Sequence, residues 1–184
     1  MWSAEPEGSV AARVLETLAG RGETLATAES LTGGLLSARL TDVPGASRSF
    51  VGGVVSYATR VKVSLLGVPP EVVQEHGVVS EECALAMAHG VRGRLDATWG
   101  LATTGVAGPD QQEGRAVGTV WVAIAGPAGA TTRLLALGGD RAAIRQTSCD
   151  AVLELLAQEL GEWAHGDSRS AQTEVTPREE GGLG

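Results

Sequence analysis

Residues 24–40 read TLATAESLTGGLLSARL and contain the change of pattern that decides the fold. The segment TLATA (24–28) is short, apolar and β-branched, which is typical of a buried strand. After Glu29–Ser30, the apolar spacing of LTGGLLSARLTD predicts a helix that begins near Thr32. A strand that passes into a helix within so few residues indicates an α/β domain.

The rest of the chain continues this alternation and then changes it. Further helices are predicted over 10–19, 59–66 and 81–95, after Pro69–Pro70, and from Asp140 onward. Further strands are predicted over 49–58, 97–105, 118–126 and 131–138, the last two as a hairpin around Gly126–Gly129. Because helices and strands alternate early and paired strands follow later, we expect a three-layer α/β/α sandwich with a mixed central sheet.

The composition is that of one globular domain. The chain has 184 residues, of which 43% are hydrophobic and 3% aromatic, so Leu, Val and Ala must form the core. We predict a single domain over 1–165. Residues 166–184, which read GDSRSAQTEVTPREEGGLG, hold almost no large apolar side chains and are predicted to be a disordered tail.

Charge and cysteine usage exclude several classes of function. The net charge of −8 disfavours nucleic acid as a partner, because such binding needs a basic surface along the phosphates. The start, MWSAEPEGS, is acidic and does not resemble a signal peptide, and no apolar run suggests a membrane span. Cys83 and Cys149 lie far apart within helical patterns and are predicted to be core thiols. We therefore expect a cytoplasmic protein.

The segment AESLTGG (28–34) is the first candidate for chemistry. It places Ser30 at the end of a strand, beside backbone N–H groups at the start of a helix, around Thr32, Gly33 and Gly34. Such donors can hold an oxyanion or a phosphate. The alternative is that Ser30 or Thr32 only caps the helix.

The segment SYATRVK (56–62) is the second candidate. It holds Tyr57, the single tyrosine, and Lys62, the single lysine of a chain that otherwise uses arginine. A buried lysine can lose its proton and act as a base toward a serine hydroxyl, which arginine cannot do. The tyrosine could steady the lysine or relay a proton. A surface lysine without a chemical role is the alternative.

Two further segments carry polar residues where strands end or helices begin. In TTGVAGP (103–109), Thr104 is predicted at a strand end, where its hydroxyl could meet a ligand, although a plain turn also explains the segment. In GGDRAAIR (138–145), Arg141 and Arg145 share one helix face near its N-terminus, which favours an anionic partner, with surface salt bridges as the alternative. The scattered histidines give no metal-ligand spacing, so we predict no metal site.

Taken together, these segments resemble the C-terminal domain of the CinA family, the nicotinamide-nucleotide amidohydrolase group. The resemblance runs from about Val10 to Ala164 and is carried by five blocks in order: TAESLTGGLLSARLTDVPGAS, GGVVSYATRVKVSLLGV, GVVSEECALAMAHG, TTGVAGP followed by VGTVWVA, and GGDRAAIRQTS. It implies a three-layer α/β/α fold and a hydrolase that converts nicotinamide mononucleotide to nicotinate mononucleotide and ammonia.

The resemblance also implies roles for individual residues. Ser30 matches the serine nucleophile, Lys62 its base, and Tyr57 and Thr104 the tyrosine and threonine of the family motifs. Arg145 matches the second arginine of the last helix, and Arg141 is expected to be a phosphate or structural partner. Since the substrate's phosphate needs a cation of its own, we expect Arg145 to bind it. The other residues expected to bind the substrate are Thr32, Gly33, Gly34 and Arg141. No cofactor is implied.

The chain departs from the family pattern in two places. Leu31 stands where many members have cysteine, which should leave the chemistry intact. The loop GPDQQEGRAVG is less glycine-rich than the same loop in other family members, and Gln111 and Gln112 do not adopt a left-handed backbone cheaply.

Because of this altered loop, the second hypothesis is a non-catalytic nucleotide-binding or interaction module that keeps the cleft without turnover. A third is amidase action on another pyridine or purine nucleotide. A homodimer is one assembly that so compact a domain could form.

Overall fold

A computed structural model of the chain describes residues 8–161. The helices are α1 (Val10–Arg21), α2 (Leu35–Thr41), α3 (Thr59–Leu66), α4 (Pro70–His76), α5 (Glu81–Arg94) and α6 (Arg141–Glu159), with a short 3-10 turn at Ala46–Arg48. The strands are β1 (Leu25–Glu29), β2 (Phe50–Val55), β3 (Trp99–Gly105), β4 (Thr119–Gly126) and β5 (Gly129–Ala136). The ends of the predicted 1–165 domain and the tail predicted over 166–184 lie outside the described residues.

The strands form one mixed sheet in the order β2-β1-β3-β4-β5. β1 pairs in parallel with both β2 and β3, and its last residue, Glu29, lies between Val55 and Thr103. β3 and β4 pair antiparallel, and so do β4 and β5, whose hairpin closes at the pair Gly126 and Gly129. The three parallel strands therefore present their carboxyl ends at the same edge of the sheet.

Helices cover both faces of this sheet, as the sequence predicts. One apolar core joins α1, α2 and α6 to the larger side chains of the strands, such as Leu25, Leu101 and Ile124. The other core joins α5 and the ends of α3 and α4 to small strand residues such as Ala102 and Ala123. Both faces of β1 and β3 are thus buried, which explains why these strands read as apolar runs without polar alternation. The three-layer α/β/α arrangement with a mixed sheet is confirmed.

Two glycines let α5 approach its neighbours closely. A Cβ added at Gly100 of β3 would lie 2.2 Å from the carbonyl oxygen of Ala88, and one added at Gly90 would lie 2.0 Å from the carbonyl oxygen of Leu66. Since real Cβ atoms do not come so near to backbone atoms, only glycine fits at either position. The close packing fixes α5 against the sheet and holds the end of α3, the helix that carries Lys62.

Most predicted elements are present, and the start of α2 is the main correction. The helix begins at Leu35 and not near Thr32, because Gly33 and Gly34 both have left-handed backbone angles, with φ of 59° and 95°. A tight turn over 30–34 therefore separates β1 from α2. The predicted caps Ser80 and Asp140 do open α5 and α6.

Two further predictions concern the cysteines and the hydropathy of the helices. Cys83 and Cys149 are buried and unpaired, as predicted for core thiols. Among residues 8–161, no helix combines the length and the hydropathy needed to cross a bilayer.

Candidate active site

A cleft of about 610 Å³, counted with its open mouth, lies at the carboxyl ends of the three parallel strands. Ser30 and Leu31 line it after β1, Tyr57 and Lys62 after β2, and the segment 104–108 at the end of β3. In a sheet of this strand order, the crevice beside β1 and β3 is where the chain reverses direction across the sheet, and open α/β sheets bind their ligands there. The position of the cleft alone therefore marks it as the first candidate for a functional site.

Lys62 and Ser30 meet in this cleft. Lys62 lies one turn into α3 on its buried face, is only 1% exposed, and places Nζ 2.9 Å from Ser30 Oγ. The same Nζ donates to the carbonyl oxygen of Ser56 at 2.6 Å. Ser56 in turn is fixed to β1, because its N–H donates to the carbonyl oxygen of Glu29 at 2.8 Å. The amine is thus directed at the hydroxyl by the loop that follows β2.

Burial lowers the pKa of Lys62 from its usual value of 10.5, because the charged ammonium loses its hydration in the interior. Cys83 and Glu113 act in the opposite direction. Burial also raises the pKa of the Cys83 thiol to about 11, so this group is uncharged near pH 7 and its opposing effect is absent there. Burial therefore raises the neutral fraction of Lys62 above that of an exposed lysine, and the neutral amine is the form that can accept a proton.

The turn after Ser30 is held in place by a carboxylate that the sequence reading missed. Glu29 is fully buried at the end of β1. Its Oε2 accepts from the N–H groups of Gly34 and Leu36, at 2.9 and 3.0 Å. Its Oε1 accepts from the N–H and the hydroxyl of Ser37, at 2.8 and 2.6 Å. Glu29 therefore caps α2, whose own N-cap residue Gly34 has no side chain to do so.

This cap changes which backbone donors can face an oxyanion. The prediction placed them around Thr32, Gly33 and Gly34, but the N–H of Gly33 donates to the Ser30 carbonyl at 3.1 Å and that of Gly34 to Glu29. Within residues 8–161, the N–H groups of Leu31 and Thr32 have no hydrogen-bond acceptor. Leu31 is 4% exposed and Thr32 fully buried. Buried N–H groups are almost always paired with protein, water or a ligand, so these two donors beside Ser30 are available to a water or a ligand oxygen.

The two arginines of α6 occupy different positions. Arg141 lines the cleft and bridges two of its walls, donating to the Tyr57 hydroxyl at 3.0 Å and to the Gly108 carbonyl at 2.7 Å. Arg145 does not line the cleft. Its guanidinium donates to the carbonyl oxygens of Leu31 and Thr32, at distances from 2.6 to 3.2 Å. The geometry thus brings Arg141 to the wall of the cleft, whereas Arg145 binds the turn that follows Ser30.

Three other predicted residues, Tyr57, Thr104 and Thr32, lie in or beside the cleft, and each of their hydroxyls makes a hydrogen bond to another protein group. Tyr57 is 61% exposed, and within the described part of the chain its hydroxyl bonds to Arg141 and not to Lys62. Thr104 lines the cleft, but its Oγ1 donates to the Val78 carbonyl at 2.6 Å. Thr32 Oγ1 lies 2.8 Å from Thr103 Oγ1, away from the cleft wall. The hydroxyls of Thr104 and Thr32 therefore serve mainly to position the segments on which they lie.

The loop over 110–114 forms the outer wall of the cleft. Asp110 and Gln112 line it, and Glu113 fixes the loop by accepting the N–H of Val78 at 2.8 Å. The left-handed residues are Glu113, with φ of 52°, and Gly114, with φ of 72°, so the predicted strain falls on Glu113 and not on Gln111 or Gln112. Among residues 8–161, no group of three or more potential metal ligands is suitably arranged.

Fold and site together define the class: a three-layer α/β domain with a buried lysine bonded to a serine at the ends of its parallel strands. The family model described as the CinA C-terminal domain matches residues 7–160. The chain therefore belongs to the CinA family, and corresponds to its C-terminal domain.

Individual relatives agree with this assignment. A CinA-like protein of Frankia casuarinae is 56% identical over 147 residues, which is 80% of this chain and 34% of that protein. A CinA-like protein of Synechocystis is 46% identical over 160 residues, which is 85% of this chain and 38% of that protein. The chain thus spans about a third of the length of these curated relatives.

Solved structures match over their whole length. The crystal structure of a CinA superfamily protein from Klebsiella pneumoniae has a TM-score of 0.81 at 31% identity, covering 86% of this chain and all (100%) of that one. The competence/damage inducible protein CihA of Agrobacterium tumefaciens also has a TM-score of 0.81, at 33% identity, covering 88% of this chain and 99% of that one.

Proposed function

We propose that this domain is an amidohydrolase that converts nicotinamide mononucleotide to nicotinate mononucleotide and ammonia. The observation that carries the proposal is the 2.9 Å contact between Lys62 Nζ and Ser30 Oγ, made by an amine that is 1% exposed. A buried amine bonded to a hydroxyl at the edge of a cleft is the arrangement that a serine–lysine acyl-transfer site requires. The names of the relatives give a family and no reaction, so the reaction is inferred from this site and from the family resemblance of its motifs.

Lys62 is the base in this proposal. A neutral amine has two N–H bonds and one lone pair. Donation to the Ser56 carbonyl directs one N–H away from Ser30, and the lone pair can then accept the hydrogen of the Ser30 hydroxyl. An arginine at this position would stay protonated at any working pH and could not accept that proton.

Chemistry then proceeds by acyl transfer. Ser30 Oγ attacks the carboxamide carbon while its proton passes to Lys62 Nζ, and the carbonyl oxygen becomes an oxyanion. The unpaired N–H groups of Leu31 and Thr32 are the donors that would hold it, a contribution of roughly 3–4 kcal/mol per donor. The C–N bond breaks as protonated Lys62 returns the proton to the leaving nitrogen, which departs as ammonia. Water, deprotonated by the same amine, attacks the acyl-serine. The ester bond to Ser30 Oγ then breaks as protonated Lys62 returns the proton to Oγ, and the acid product leaves and ionises to the carboxylate.

The rim of the cleft has charges that suit this substrate. Arg141 is the guanidinium that lines the described cleft, and Asp110 is a carboxylate on the loop that follows Gly108. Nicotinamide mononucleotide carries a cationic ring and an anionic phosphate, so one fixed charge of each sign is complementary to it. We therefore assign the phosphate to Arg141 instead of Arg145. The cytoplasmic location and the homodimer both stay predictions.

The experiment is an assay of ammonia released from nicotinamide mononucleotide by the purified chain. Ser30→Ala should reduce kcat by at least about a thousandfold, because nothing else in the described cleft replaces the nucleophile. Lys62→Arg should have a similar effect, since a guanidinium stays protonated and cannot act as the base. Ser64→Ala, an exposed serine on the same helix as Lys62, is the matched control and should behave like the unaltered protein. Full activity in Lys62→Arg would refute the mechanism.

A nucleotide-binding module without turnover is the second candidate. The observation in its favour is the 110–114 loop, which Glu113 fixes to Val78 over the mouth of the cleft. Titration calorimetry with nicotinamide mononucleotide separates the two functions. Heat of binding without ammonia release would support the module, whereas ammonia release supports the enzyme.

A further inference from the structure

We propose that Arg145 is a positioning residue that sets the orientation of the oxyanion-binding peptide, and that it does not bind the phosphate. The inference rests on the proposed function, because it assigns the Leu31–Thr32 peptide to the reacting carbonyl oxygen. It differs from the sequence-based expectation that Arg145 binds the phosphate, and the two assignments predict different kinetic changes on substitution.

The contacts of the guanidinium are the first step. Arg145 Nε lies 3.1 Å from the Leu31 carbonyl oxygen and 3.2 Å from that of Thr32, and Nη2 lies 2.6 Å from the latter. These contacts join α6 to a turn more than a hundred residues earlier in the chain. A planar guanidinium that binds two neighbouring carbonyls restrains the orientation of both peptide groups, which a single point charge cannot do as well.

Peptide planarity transmits this restraint to the donors. The Leu31 carbonyl and the Thr32 N–H belong to one planar, trans peptide group, so they point in opposite directions. When Arg145 holds the carbonyl, the Thr32 N–H is directed away from α6. That N–H has no acceptor within residues 8–161 although the residue is fully buried. The geometry thus leaves a fixed donor next to Ser30 without an internal partner.

Glu29 fixes the other end of the same turn. It holds the N–H groups of Gly34 and Leu36, so the turn is restrained by a carboxylate at its end and by a guanidinium at its middle. The Glu29 contacts begin at Gly34, and the Thr32 hydroxyl bonds to Thr103, so Arg145 is the described side chain that binds the carbonyl oxygen of the Leu31–Thr32 peptide itself. An oxyanion hole contributes most when its donors are fixed before the reaction, since no reorganisation is then needed.

The test compares Arg145→Met with Arg145→Lys and with a matched control, Arg21→Met. Arg21 also donates to a backbone carbonyl, that of Leu160 at 2.7 Å, but neither of these two residues lines the cleft. Arg145→Met should lower kcat about a hundredfold, the loss seen when one oxyanion donor fails, and leave KM within about threefold. Arg145→Lys should lose less, because one ammonium still reaches a carbonyl. Arg21→Met should keep kcat, with a fall in Tm similar to that of Arg145→Met.

Three results would overturn the proposal: an unchanged kcat in Arg145→Met, a loss that appears in KM alone, or an equal loss of kcat in Arg21→Met. A loss in KM alone would return Arg145 to the phosphate. If Arg145→Met does not fold, the same criteria apply to Arg145→Lys.

A second readout separates this proposal from the proposed function. A fluorophosphonate reacts with the nucleophilic serine. Ser30 Oγ bonds to phosphorus as fluoride leaves, and the serine proton passes to the base. The phosphoryl oxygen then occupies the oxyanion hole. Mass spectrometry of Ser30 measures the rate of labelling. If the unaltered protein releases no ammonia yet is labelled, the substrate assignment fails, and slower labelling of Arg145→Met still supports the positioning role. Labelling at an equal rate in that variant, or no labelling of the unaltered protein, would overturn the role.

Discussion

The starts of α2 and α5 solve the same problem in different ways. α5 is capped by its own neighbour, because Ser80 Oγ accepts the N–H of Cys83 at 3.2 Å. α2 is capped from the preceding strand by Glu29, whose carboxylate reaches residues five to eight positions ahead. A local cap fixes only the helix. When the strand residue Glu29 caps the helix, the side chains of the turn over 30–34 are not needed as caps. The backbone of that turn can then face the cleft.

The largest expected effect comes from removing the remote cap. Glu29→Ala removes the carboxylate that accepts from three N–H groups and a hydroxyl, all of them partly or fully buried, so we expect a loss of roughly 3 kcal/mol in the free energy of unfolding. Ser80→Ala is the matched local cap and should cost about 1 kcal/mol. Urea unfolding of both variants measures the difference. Equal losses would show that the two caps do not differ as described.

Glycine substitutions test whether the turn matters for more than stability. Gly34→Ala places a side chain at φ of 95°, and Gly22→Ala places one at φ of 66° at the end of α1, where nothing lies within 4 Å. Each should cost about 1–2 kcal/mol, since both positions are left-handed. Only Gly34→Ala should also lower kcat for ammonia release. A similar loss of kcat in Gly22→Ala would remove the distinction between the turn and an ordinary helix end.

The smallest expected effect is a pH dependence of stability that belongs to Lys62 alone. In the folded protein its pKa is lowered, so between that value and 10.5 the unfolded chain binds more protons than the folded one. The stability of the unaltered protein relative to Lys62→Met should therefore rise with pH through this window and level off above 10.5. Urea unfolding at a series of pH values measures the difference. A difference that falls with pH would contradict the assigned direction of the pKa shift.

The contrast between local and remote caps explains which features of the fold could be predicted from the sequence. Ser80 and Asp140 were recognisable as caps because a cap and its helix are adjacent in sequence. The mixed sheet and the two helix layers followed from the alternation of helical and strand patterns, whereas the order of the strands was not predicted. The start of α2 was predicted too early, because the apolar spacing continues through Gly33 and Gly34 although both have left-handed angles.

The site was predictable in its residue types and less so in their partners. Lys62 stood out as the single lysine and Ser30 as the first residue after a strand, and their contact agrees with the sequence-based reading. Glu29 was missed, although a lone acidic residue in an apolar strand, followed by a helix without a capping side chain, was a usable signal. The partners of Arg145 were not predictable, because Arg141 and Arg145 lie on the same helix face. Only the folded chain places Tyr57 beside the first arginine and the Thr32 carbonyl beside the second.

The measurement that tests the central claim most directly is the NMR titration of Lys62. Because it is the only lysine in the chain, protein labelled with ¹³C at lysine Cε gives a single lysine signal and needs no assignment. We predict a titration midpoint below 10.5 that coincides with the rising limb of the pH profile of kcat/KM for ammonia release. A midpoint at or above 10.5, or a rate that rises at a different pH, would show that this amine is not the base that activates Ser30.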